Sequence, residues 1–126
     1  MRLILILLVL MIAQPVQADW LCTGKPSIKL SRIELINAYS GQSVLINGEW
    51  LIAIMFPAND PQTQLAFNTL GISAQAAERL AKSNGLVDRN IRLATTPTDM
   101  AFKLKDNAPA VGFGLVVIGD GIEKCN

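Results

Sequence analysis

The stretch Ala58-Asn59-Asp60-Pro61-Gln62-Thr63 has the composition of a loop entering a helix, and it carries the clearest binding chemistry in the chain. Amides in the first turn of a helix lack intrahelical partners and point outward, so an anion can bind there with help from the helix dipole and the Thr63 hydroxyl. Asn59, Asp60, Gln62 and Thr63 are therefore the candidate anion-binding residues. Asp60 also stands where an N-cap belongs, and there its carboxylate would occupy and repel the same site. An ordinary capped helix is the competing reading.

Catalytic chemistry has little to work with. The chain contains no histidine, and its ten carboxylates are scattered through turns and helix ends without a close pair to serve as acid and base. No run of Asp and Glu has the spacing of a calcium loop, and the two cysteines form no Cys-x-x-Cys. The expectation is a noncatalytic protein with neither metal nor cofactor. Lys25, Lys29 and Arg32, or Arg89 and Arg92, would attract an anion if clustered, but a solvated face is the simpler account of them.

Cys22 and Cys125 have a different role in view of the first residues. Arg2, the apolar run Leu3 to Ala13, and Val16-Gln17-Ala18 follow the three-part layout of a secretory signal peptide, with cleavage expected after Ala18. A retained membrane anchor is the alternative, but a spanning helix needs roughly 20 apolar residues and this run is shorter. Export, to the periplasm or beyond, favours oxidised thiols, and two cysteines allow a single intramolecular pairing. A Cys22–Cys125 bond would bring the first and last segments of residues 19–126 together. Arg2 is the only charged residue of the leader, so the remainder carries ten basic and ten acidic residues. That balance argues against nucleic acid or an anionic membrane as the main partner.

The elements that would position these residues can be read from caps and periodicity. Ser31-Arg32-Ile33-Glu34 has the form of a capping box, which predicts a helix from Arg32 to Ser40, ended by Gly41, with Ile33, Leu35, Ile36 and Tyr39 apolar. Ser43 to Ile46 and Trp50 to Phe56 flank Asn47-Gly48 as the two strands of a hairpin. A helix begins at Pro61, packs through Leu65, Ala66 and Leu70, and stops at Gly71. Ser73 caps a second, Ala74 to Ser83, with Leu80 and Ala81 inward and Gly85 beyond its end. Ile91 to Ala94 is a short strand, and Thr96-Pro97-Thr98-Asp99 starts a helix carrying Met100, Ala101 and Leu104. Ala110 to Ile118 reads as a central strand covered on both faces, in which Gly112 and Gly114 mark close packing of a helix or close approach of a ligand.

This order resembles the phosphate-binding proteins of ABC transporters and their short single-lobe relatives. Glu34 to Gly41 is similar to the helix before that family's "IF-x-G" segment, and Asn47-Gly48 with Ile52 to Pro57 to its "DG-x-x-I" hairpin. Asp60 to Phe67 falls at its polar loop and helix. Thr96 to Met100, then Asn107 to Phe113, resembles its late helix and "PGAIGY". The resemblance implies an α/β fold, a single lobe of a type II periplasmic-binding-protein-like architecture with a small mixed sheet covered by helices. It further implies a periplasmic solute-binding-like module for phosphate or a similar anion. Of the Ser-Gly-Thr that holds phosphate in the family, only Thr63 is matched here, and the preceding arginine is absent. Binding is thus expected to be weak or degenerate. The alternative is a module that keeps the fold and binds an envelope protein in place of a solute.

Overall fold

The computed structural model describes residues 19–83, 90–116 and 118–126. The leader, Gly85, Arg89 and Val117, on which parts of the sequence reading fall, lie outside the described residues. In chain order the elements are β1 (Trp20–Thr23), α1 (Arg32–Tyr39), β2 (Leu45–Ile46), β3 (Glu49–Trp50), β4 (Ile52–Met55), α2 (Pro61–Leu70), α3 (Ala74–Lys82), β5 (Ile91–Leu93), α4 (Pro97–Asp106), β6 (Ala110–Phe113) and β7 (Glu123–Lys124).

Five strands form one mixed sheet in the order β5-β4-β6-β1-β7. β4 runs parallel to β5 and β6, whereas β1 is antiparallel to β6 and β7. From β4 the chain crosses outward through α2 and α3 to the edge strand β5, then returns through α4 to β6 on the other side of β4. Two crossovers of one hand that travel in opposite directions must cover opposite faces. Gly112 shows this directly: a Cβ there would lie 2.6 Å from Met100 Sδ and 3.2 Å from Leu104 on α4. The next residue, Phe113, points to the other face and meets Tyr39 of α1 and Phe67 of α2.

That second face holds an aromatic core. Trp20, Phe56 and Phe67 surround Phe113 edge-on, with ring centroids 5.6, 5.7 and 6.1 Å away. Such pairs add to the transfer free energy of burying large rings. Tyr39 sits where β4 and β6 stop pairing after Ala53 and Val111. Its hydroxyl donates to the Ile54 carbonyl at 2.8 Å and lies 3.4 Å from that of Val111, so it satisfies a carbonyl that the ladder leaves open.

The caps follow the sequence closely. Ser31 and Glu34 form both bonds of the capping box, and Thr96 Oγ1 accepts from the Asp99 amide. Gly71 ends α2 in the left-handed conformation, and Asn47 and Gly48 both have positive φ in the hairpin turn. Other expectations need correction. Ile33 is exposed on α1, and α2 packs through Thr63, Ala66, Phe67 and Leu70 while Leu65 faces solvent. The apolar run from Trp50 divides at Leu51, whose amide donates to Val44, and β4 then enters the main sheet. β6 ends at Phe113 well short of Ile118, because Gly114 turns the chain with φ +104°. β1 and β7 were not signalled by any alternation in the sequence.

At the termini, Leu21 pairs with Lys124 and Cys22 with Glu123. The sulfur atoms of Cys22 and Cys125 lie at disulfide distance, 2.13 Å, with their Cα atoms 5.7 Å apart. Both side chains are buried.

Candidate anion-binding site

β4 ends at Met55, and the chain turns through Phe56 to Asp60 before α2 begins at Pro61. The turn lies outside the carboxyl ends of β4 and β6, where crossovers leave the sheet in opposite senses. Crevices at such strand ends are the usual ligand positions of open α/β sheets.

Here the protein's own groups fill the position. Asp60 is the N-cap, its Oδ1 accepting from the Gln62 amide at 2.8 Å. Glu78, on α3, accepts from the Ala58 amide at 3.0 Å through Oε1, while its Oε2 lies 3.6 Å from Lys82 Nζ. Two internal carboxylates thus take two amides of this turn. The Asp60 amide donates to the Pro57 carbonyl, and Gln64 closes the turn by donating from its side chain to the Ala58 carbonyl.

Gln62 reaches to the end of β6, where its Oε1 accepts from the Leu115 amide at 2.8 Å. Gly114 makes this possible. A Cβ at residue 114 would stand 2.5 Å from that oxygen and 2.9 Å from the Phe56 ring, in a conformation L side chains rarely adopt. Thr63 is fully buried, and its hydroxyl donates inward to the Phe56 carbonyl at 3.1 Å. Asn59 is exposed at the tip of the turn.

Asp60, Gln62 and Thr63 are therefore gathered at one strand end, but each bonds to the protein itself. Sequence reasoning missed Glu78 and Leu115. Glu78 reads as an ordinary surface position of an alanine-rich helix, and only the docking of α3 brings it to Ala58. Of the basic residues, Arg32 closes α2 by donating to the Leu70 carbonyl at 3.1 Å, a favourable place for a cation at a helix C-terminus. Arg92 donates to the Ile91 carbonyl.

Two titrating groups elsewhere depart from their ordinary values. Burial pushes the Tyr39 phenol well above its usual 10.0. The Thr95 amide holds the Asp99 carboxyl below its usual range, with help from Lys103 at 3.2 Å. Among the described residues, no group of three or more His, Cys, Asp or Glu is placed to hold a metal ion. Nor is any described helix long and apolar enough to cross a membrane.

No family model matches the chain, and no curated protein matches it in sequence. In fold it is similar to an ABC-type phosphate transport receptor from Vibrio cholerae, known from its crystal structure, with a TM-score of 0.52 at 13% identity over 86% of this chain. The likeness is one of fold: a mixed α/β architecture like that of this transport receptor. The chain spans 46% of that receptor's length.

Proposed function

We propose that this protein is an exported, noncatalytic binding module whose anion site, at the start of α2, is largely closed by its own carboxylates. The observation that carries this reading is the pair of bonds from the Ala58 and Gln62 amides to Glu78 and Asp60. They preserve the form of an anion site while placing negative charge inside it. Phosphate must compete with both groups, and the arginine that would supply a charge-assisted bond is missing, so affinity is weak.

Thermal melts in phosphate, against chloride at matched ionic strength, test the reading. A ligand at its dissociation constant stabilises by about 0.4 kcal/mol, which shifts the melting temperature of a domain this size by about 2 to 3 °C. The shift is expected only at millimolar phosphate or above. Asp60→Ser and Glu78→Gln each keep an acceptor and remove a charge, so each increases the response. Saturation at micromolar phosphate in the unmodified protein refutes a closed site. An unchanged response in both folded variants reduces the turn to a helix cap.

A further inference from the structure

At the opposite end of the central strands, where β4 and β6 begin and β1 ends, the structure has a cavity of about 390 Å³. Ala110 pairs there with both Thr23 and Ile52, so the cavity is separated from the α2 turn by the length of the strands. Its volume falls within the range usual for small-ligand sites, about 300 to 1,000 Å³. Ile28, Ile46 and Pro109 contribute apolar lining. The wall at Gly24 is closely fitted, because a Cβ there would lie 2.6 Å from Ile28 Cδ1.

Four charged residues line this cavity: Lys25, Glu49, Lys105 and Asp120. Lys105 and Asp120 satisfy each other at 3.6 Å. Lys25 and Glu49 have no ion-pair partner among the described residues, and their charged atoms are more than 4.0 Å apart. Among the described residues that line it, the cavity therefore has one cationic and one anionic residue outside any ion pair, beside its apolar lining. A purely anionic ligand leaves Glu49 opposed, and a purely cationic one leaves Lys25 opposed. A ligand bearing both charges at separate ends satisfies the two.

We propose that this cavity binds a short zwitterionic peptide, with its carboxylate at Lys25, its ammonium at Glu49 and an apolar side chain against Ile28, Ile46 and Pro109. Extended chain covers about 3.3 to 3.6 Å per residue, so two or three residues span charges too far apart to pair directly. The site is independent of the reading given to the α2 turn.

Leucyl-leucine is the probe, followed by amide chemical shifts of the purified protein. Saturable shifts are expected at Thr23 to Gly24 and at Ile46 to Glu49. Acetylating the peptide's N-terminus or amidating its C-terminus removes a charge-assisted bond, so each weakens binding by roughly tenfold or more. Lys25→Gln and Glu49→Gln, both at exposed positions, make the matching cap ineffective: the acetyl group costs nothing further in the Glu49 variant, nor the amide in the Lys25 variant. Absence of saturable shifts at about 10 mM peptide overturns the proposal. So does equal binding of the doubly capped peptide, or a set of shifts confined to residues 58–64. The capped-peptide comparison uses unmodified protein and stays decisive if a variant fails to fold.

Discussion

Thr63 stands in the first turn of α2 with its side chain turned inward, away from solvent. A hydroxyl in the first turn of a helix offers itself to an anion, yet this one is fully buried and donates to the Phe56 carbonyl. Its chemistry is therefore structural, fixing the end of β4 to the start of α2. Thr63→Val keeps the shape and removes the donor, leaving a buried carbonyl short of a partner. The expected cost is about 1 to 2 kcal/mol in urea melts, with no change in the phosphate response. A variant of undiminished stability that loses its phosphate response returns Thr63 to the binding site. Tyr39 is a second buried hydroxyl with a distant effect. Burial raises its folded pKa by favouring the neutral phenol, so the stability this group contributes is fully present below the unfolded value near 10 and is lost as pH rises above it, where the unfolded chain ionises first. One unit above the unfolded value, the phenol's contribution to the loss is on the order of 1 kcal/mol. Tyr39→Phe, less stable at neutral pH, should lose that much less between pH 9 and 11. Parallel alkaline stability curves for the two proteins contradict it.

At the scale of elements, features fixed by nearby residues were readable and features fixed by distant ones were not. The capping box, the Asp60 and Thr96 caps, the Asn47-Gly48 turn and the Gly71 stop each depend on a few consecutive residues, and all are present. Ser31→Ala tests the first of these. Losing the acceptor for the Glu34 amide should cost about 1 kcal/mol, seen as a lower urea midpoint with an unchanged slope. An unchanged midpoint means the box adds nothing to the packing of α1. β1 and β7 have no comparable local signal. Glu123–Lys124 is a two-residue, exposed strand, and what defines it is the edge of β1 beside it. β6 is shorter than its apolar run for the converse reason: the run continues past Phe113, but the backbone turns at Gly114 to meet Gln62, a contact 53 residues away in sequence. The candidate site shows the same division. Asp60 as a cap was visible from its neighbours, whereas Glu78 reaches Ala58 only after α3 has docked.

For the whole molecule, the arrangement at the termini decides how the chain is closed. β1 pairs on one side with β6 and on the other with β7, so the first described strand lies inside the sheet and the last covers its edge. The Cys125 amide donates to the Trp20 carbonyl, and the Leu30 amide to that of Cys125, holding the final residues before any covalent bond is counted. Cys22 and Cys125 then join points 103 residues apart. A loop of that size removes about 4.7 kcal/mol of unfolded-state entropy in the chain-entropy model, the upper part of the usual range for one bond. Because backbone pairing persists without it, the doubly substituted Cys22→Ala, Cys125→Ala protein should still fold, with stability lower by about 2 to 5 kcal/mol in urea. Peptide mapping of the unreduced protein should recover the two cysteine peptides as one linked species. Two thiols open to alkylation in unfolded, unreduced protein refute the bond. Stability equal to that of the substituted protein would place closure in the β1–β7 pairing alone.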